Sequence, residues 1–160
     1  MSDQTQLATF GAGCFWGVEA RFRALPGVLD ATAGYMGGQI QQPDYEAVCT
    51  GRSGHAEVVQ VRFEIEKVSY EALLTLFFEM HNPTTLNRQG PDVGSQYRSV
   101  IFFHSDSQRQ IAATAIAALD ASDRWHEPVV TQLVSAPEFW PAEEYHQRYL
   151  EKNGYGFCSI

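Results

Sequence analysis

The sequence predicts an α+β fold, a ferredoxin-like two-layer α/β plait with an extra helix and strand and long active-site loops. Three observations predict it. The first six elements that can be read from hydrophobic periodicity run β-α-β-β-α-β. The stretch His55 to Ile65 places Val59, Val61, Phe63 and Ile65 on one face and Gln60, Arg62 and Glu64 on the other, the alternation of a half-buried strand. Two stretches, Gly34 to Gly54 and Pro83 to Arg98, have no period and are too long for tight turns, which is how functional surface loops look.

The elements follow in order. Leu7 to Phe10 is a short apolar strand that turns, through Gly11-Ala12-Gly13-Cys14-Phe15-Trp16-Gly17, into a helix with Val18, Phe22 and Leu25 facing inward. Pro26-Gly27 stops that helix, and Val28 to Tyr35 forms the second strand. After the first long loop and the strand from His55, Ser69 caps a helix that buries Tyr70, Leu73, Leu74, Phe77 and Phe78 and ends at Asn82-Pro83. The second long loop leads to a strand from Ser99 to His104. Ser105-x-x-Gln108 is a capping box for a helix to about Ala121 with Ile111, Ala115 and Leu119 inward. Val129 to Val134 supplies the extra strand. Pro141 suits the first turn of a short last helix around Glu144 to Lys152, followed by a glycine-flanked flexible tail, residues 153–160.

A chain of 160 residues fits one domain, residues 1–160, with a core that needs no disulfide staples. Its 44% hydrophobic and 19% charged residues are those of a soluble protein, and no apolar run is long enough to span a bilayer. The first residues lack the pattern of a secretory signal, so the expected compartment is the cytoplasm. A net charge of −8 repels phosphate backbones and argues against nucleic-acid partners. The three cysteines, Cys14, Cys49 and Cys158, form no Cys-x-x-Cys pair and no zinc-type cluster, and their odd number in an intracellular chain points to thiol chemistry. His55, His81, His126 and His146 show no shared metal-ligand spacing; these and His104, which ends a strand, read as structural.

Cys14 carries the strongest chemical signal. At a strand-to-helix junction the unsatisfied N–H groups and positive dipole end of the helix stabilise a thiolate, and Phe15 and Trp16 supply an apolar wall. The alternative is a buried structural thiol beside core aromatics. Glu57 shares the parity of Val59 and Val61, so a carboxyl group stands at the start of the core-facing row, where burial favours the protonated form that a general acid needs. A strand-end carboxylate or one half of an ion pair is the other reading. Asp92 and Tyr97 lie in a glycine-rich loop in which Asp is ordinarily a turn former, and Tyr45 either donates a phenolic hydrogen bond or packs. Cys49 reads as a small buried residue. Cys158, on the tail, is either an incidental thiol or a cysteine able to resolve a sulfenic acid on Cys14.

Taken together, Gly13-Cys14-Phe15-Trp16-Gly17, Gly54-His55-Ala56-Glu57-Val58-Val59, His81-Asn82-Pro83-Thr84, Arg88 to Ser99 and Glu144-Tyr145-His146-Gln147 resemble the type A peptide methionine sulfoxide reductases, in the family's order and over nearly the whole chain. The resemblance implies that Cys14 attacks the sulfur of a methionine sulfoxide of the S configuration while Phe15 and Trp16 hold the S-methyl group. It implies Glu57 as the proton donor to the sulfoxide oxygen, Tyr45 and Tyr97 as its hydrogen-bond donors, and Asp92 on the substrate's backbone side. Cys158 matches the family's first recycling cysteine, which would form a disulfide with Cys14 that thioredoxin, or dithiothreitol in vitro, reduces; no bound cofactor is implied. The substrate would be methionine sulfoxide, free or in oxidised proteins. The chain ends at Ile160 without the further cysteine of longer members, so thioredoxin would have to reach the Cys14–Cys158 disulfide directly. It also has Asp44 where Thr or Ser is common, Met36 where Thr often follows the tyrosine, and Asn82 where many members have Asp. The rival readings are a cysteine hydrolase with His55 or His146 as base and a catalytically silent binding module for oxidised methionine or a peptide.

Overall fold

The sheet is built on β1 (Thr5–Ala12), whose last five residues are buried and which has a paired neighbour on each side. The computed structural model describes residues 5–38, 43–50, 53–122 and 124–147, without the side chains of Cys49 and Tyr145. Along it follow α1 (Phe15–Arg23), β2 (Val28–Met36), α2 (Tyr45–Cys49), β3 (Ala56–Glu64), α3 (Tyr70–Glu79), β4 (Arg88–Gln89), β5 (Asp92–Val93), β6 (Ser99–Phe103), α4 (Asp106–Ala121), β7 (Gln132–Ser135) and β8 (Trp140–Pro141). Two 3-10 turns cover Ser95–Tyr97 and Glu144–His146.

The main sheet has six strands in the order β7-β6-β1-β3-β2-β8. Its inner four, β6-β1-β3-β2, pair antiparallel in the ferredoxin-like order, fourth, first, third, second. The fold class expected from the sequence is therefore the one observed. The extra helix and strand extend one edge: β7 lies parallel to β6, and α4 is the crossover that a parallel neighbour requires. On the opposite edge β8 pairs antiparallel with β2.

The helices cover one face because that face presents large apolar side chains. Phe10 of β1 stacks on Phe22 of α1 at 5.1 Å and meets Phe77 of α3 at 5.1 Å and Tyr70 at 6.0 Å. Burying each such ring contributes about 1.5–3 kcal/mol. The other face is not open to solvent at its centre. Met36, Ala56, Val58, Val100 and Phe102 form a second cluster there, with Ala136 and Phe139 packed against it.

Local chemistry fixes the helix ends. Ser69 accepts from Ala72 N–H at 3.0 Å and Ser105 from Gln108 N–H at 3.2 Å, as their sequences require. Gln108 completes its half of the box one residue early, accepting from His104 N–H at 2.9 Å, and donates to Leu7 O at 2.8 Å, which ties α4 to β1. At the end of α1, Arg23 pairs with Glu19 one turn back and with Asp30 of β2.

Several expectations need correction. Ile65 is not on the core row but 42% exposed, because β3 ends at Glu64 and Ile65 begins the turn. The half-buried reading of that strand holds only for its second half, since Ala56 to Val59 are buried on both faces. Leu25 packs on the core from beyond the end of α1. In α4 the deepest residues are Gln108 and Ala112, and Ile111, Ala115 and Leu119 are partly buried along the groove facing α3. Pro141 pairs with Gly34 in β8 instead of opening a helix, and Glu144–His146 is a single 3-10 turn; the rest of the helix expected to reach Lys152, and the tail, lie outside the described residues. The long loops hold short elements of their own, α2 in the first and the β4–β5 hairpin in the second.

Candidate active site

The antiparallel pairing gathers the site at one end of the sheet. β1 ends at Ala12 beside the start of β6 at Ser99, and Tyr35 near the end of β2 is in register with Glu57 at the start of β3. Residues far apart in sequence therefore meet around the turn that follows β1.

Gly13 makes that turn with φ of +97°, a conformation that side chains rarely adopt, and a Cβ there would stand 3.0 Å from the Gln89 side chain. Cys14 follows as the N-cap residue of α1, half-buried, with its side chain making no cap hydrogen bond. The first turn of α1 carries no acidic residue, so nothing within it opposes negative charge on the sulfur. Glu57 is 2% exposed, and its Oε1 accepts from the Phe15 N–H at 3.3 Å. A buried carboxyl group is thus attached to the same helix start as the thiol, one residue away from it.

Phe15 and Trp16 are surrounded by rings. Phe15 is fully buried, with ring centres at 5.7 Å to Tyr35, 6.5 Å to Tyr45 and 5.1 Å to His146. His146 lies 4.4 Å from Tyr45 and 5.7 Å from Trp16. The indole N–H of Trp16 donates to His146 Nδ1 at 3.0 Å. Because an indole N–H only donates, Nδ1 must be the acceptor, and the neutral ring carries its proton on Nε2. Burial pushes His146 below the ordinary imidazole value, and the neighbouring Glu143 carboxylate partly offsets this. The neutral form that accepts from Trp16 is therefore the favoured one.

Glu143 accepts from the Tyr35 hydroxyl at 2.8 Å and from the Tyr45 N–H at 2.9 Å. Burial acts to raise its carboxyl, but the N–H groups of Tyr45 and of Glu143 itself, the Tyr35 phenol and His146 outweigh it, and the group is held below the usual carboxylate range. Gln147 anchors the same segment by accepting from Ala33 N–H at 2.9 Å and donating to Ala33 O at 2.8 Å. Asp44 caps α2 by accepting from Ala47 N–H at 2.8 Å, a task that Thr or Ser also performs.

On another side Cys14 opens to a cleft of about 420 Å³ whose lining includes Gln89, Asp92, His81, Arg124 and Trp125. Asp92, on β5, is half-buried there. Gln89 is fixed by two hydrogen bonds to the backbone of Asn82. His81 is buried, with Nδ1 on Phe77 O at 2.6 Å and Nε2 on Ser99 Oγ at 2.7 Å. Tyr97 is half-buried at the end of the 3-10 turn, which packs on β3 and β4. A larger groove of about 710 Å³ between α3 and α4 has Leu74, Phe78, Ile111 and Ala115 in its lining and no cysteine.

The structure thus brings together Cys14, Glu57, Phe15, Trp16 and Tyr45, places Asp92 on the cleft beside Cys14, and sets Tyr97 on the turn against the strand of Glu57. Cys158 lies outside the described residues. Sequence reasoning missed Tyr35 and Glu143, and it read His146 as structural although the ring touches Phe15, Trp16 and Tyr45. Cys14 thus lines the cleft, and the rings of Phe15 and Trp16 and the Glu57 carboxyl stand at the same helix start.

The family model described as peptide methionine sulfoxide reductase matches residues 6–160. The protein named peptide methionine sulfoxide reductase MsrA from Acidobacterium capsulatum is 58% identical over 153 residues, 96% of this chain and 98% of that one. Among solved structures, reduced Mxr1 from Saccharomyces cerevisiae superposes with a TM-score of 0.91 at 35% identity, covering 98% of this chain and 90% of that one. Mxr1 in complex with Trx2 matches with a TM-score of 0.66 at 26% identity over 92% of this chain and 86% of that one. This chain belongs to the peptide methionine sulfoxide reductase family.

Proposed function

We propose that the chain acts as a single catalytic domain that reduces the S epimer of methionine sulfoxide, with Cys14 as nucleophile and Glu57 as proton donor. The observation that carries this reading is the Glu57 carboxyl on the Phe15 N–H at 3.3 Å, which puts an acid and a thiol at one helix start. Two full negative charges so close would oppose each other, so the pair shares one proton, which this mechanism places on the buried carboxyl at the moment the thiolate attacks.

The sulfoxide sulfur is electron-poor, and its methyl group fits a pocket of aromatic faces, which attract partial positive charge. Phe15 and Trp16 hold that methyl group, with the Trp16 ring oriented by His146. The Cys14 thiolate attacks the sulfur, Glu57 gives its proton to the oxygen, and the Tyr45 and Tyr97 hydroxyls hydrogen-bond that oxygen as negative charge grows on it. Asp92 holds the backbone side of the substrate. The S–O bond then breaks, and hydroxide passes to the Cys14 sulfur as the newly formed S–S bond opens and returns its electron pair to the methionine sulfur; thiolate, carboxylic acid and sulfoxide thus give a sulfenic acid on Cys14, the Glu57 carboxylate and methionine. The Cys158 thiol then displaces water from the sulfenic acid to form a disulfide, and a dithiol reduces that disulfide by exchange. The complex of the related Mxr1 with Trx2 supports thioredoxin as this dithiol. The protein needs no further bound cofactor for these steps. No helix among the described residues is long and apolar enough to cross a membrane, and the cytoplasm is the compartment we propose from the sequence.

A Cys158→Ser variant tests this sequence of steps. In the absence of reductant it should release one methionine per enzyme and leave a sulfenic acid on Cys14 that a dimedone adduct reveals by mass, with no sustained turnover by thioredoxin. Repeated turnover with thioredoxin alone would overturn the resolving role.

A further inference from the structure

We infer that Glu143 is a positioning residue for the reduction, acting through Tyr45: its carboxylate holds Tyr45 where the phenol meets the sulfoxide oxygen. The inference rests on the role proposed above for Tyr45. Tyr45 is the first residue of α2, a helix of five residues. A helix so short has little stability of its own, and its leading N–H groups have no partner within it. Asp44 caps the N–H of Ala47, and the N–H of Tyr45 is taken by Glu143 Oε2, 98 residues away in sequence.

The other oxygen of Glu143 accepts from the phenol of Tyr35, a fully buried residue of β2. One carboxylate therefore spans from the sheet to the first residue of α2, and it does so beside His146, whose ring packs on Tyr45 at 4.4 Å. Both bonds are of the charge-assisted kind, stronger and more directional than neutral ones. Glu143 touches neither Cys14 nor Glu57 in any contact described above, so its effect on chemistry must pass through the rings it places.

The test is a double-mutant cycle on the single-turnover rate of methionine release. Tyr45→Phe removes the hydroxyl and should slow release about 10²-fold, with a small change in the substrate concentration for half-maximal rate. Glu143→Ala should slow it by a similar factor, and the double variant should be no slower than the slower single one, because the alanine acts by displacing the hydroxyl that the phenylalanine lacks. Glu143→Gln, which offers an oxygen to the Tyr45 N–H and an amide to the Tyr35 oxygen, should recover most of the rate. Losses that multiply in the double variant, or a Gln variant as slow as the Ala variant, overturn the positioning role alone. An unchanged rate in Tyr45→Phe overturns the Tyr45 reading and this inference with it. Should Glu143→Ala lose its cooperative unfolding transition, Tyr35→Phe takes its place in the cycle with the same two outcomes.

Discussion

Acidification from pH 7 to pH 4 should cost about 3 kcal/mol of folding stability through His81 alone. This ring is 7% exposed and is pushed down from 6.5 to about 4 by burial, against the smaller opposing effect of the Phe77 carbonyl. The unfolded chain binds a proton near pH 6.5 and the folded chain does so near pH 4, so between those values the unfolded state carries more protons. Stability from this group is complete above about pH 6.5, falls as pH drops, and reaches its minimum below about pH 4, a decline of about 1.4 kcal/mol per pH unit in the window. Other groups titrate in the same range, so the measurement is a difference: urea unfolding of the wild type and of His81→Gln at pH 7, 6, 5 and 4. The wild type should lose about 3 kcal/mol more than the variant across the series. A constant difference between the two would refute the reasoning, and with it the view of His81 as a neutral buried bridge between Phe77 O and Ser99 Oγ.

Glu57→Gln should slow methionine release at neutral pH by about 10²–10⁴-fold, since the amide keeps the shape and the bond to Phe15 N–H but has no acidic proton to give; stopped-flow release at an unchanged rate would remove Glu57 from the mechanism. Gly13→Ala should lower stability by about 1–3 kcal/mol, because the alanine would have to hold the positive φ and push against Gln89. Thermal unfolding with an unaltered midpoint would show that the turn before Cys14 relaxes freely.

The part of the fold legible in the sequence is the part written in periods longer than the noise. Strand alternation changing to helical spacing placed Cys14 at the start of α1, parity placed Glu57 inside, and Ser69 and Ser105 marked helix starts through bonds to neighbours three residues on. Ile65 was misplaced because alternation alone does not say where pairing stops, and the pairing of β3 ends one residue before it. β8 has two residues and α2 five, too few to show any period. Glu143 and His146 escaped for a different reason. Their roles exist only through contacts with Tyr45 and Trp16, 98 and 130 residues away, and a carboxylate and an imidazole in a polar segment give no local sign of such partners. The resemblance named the string containing His146, but only the geometry shows the ring holding the Trp16 indole.

The most direct test of the account is methionine release from separated sulfoxide epimers with dithiothreitol as reductant, for the wild type and for Cys14→Ser. The wild type should release methionine from the S epimer and not from the R epimer, and Cys14→Ser should release none from either. Equal release from both epimers, or release by the Cys14→Ser variant, would contradict a thiolate at Cys14 attacking a sulfoxide held by its methyl group and its oxygen.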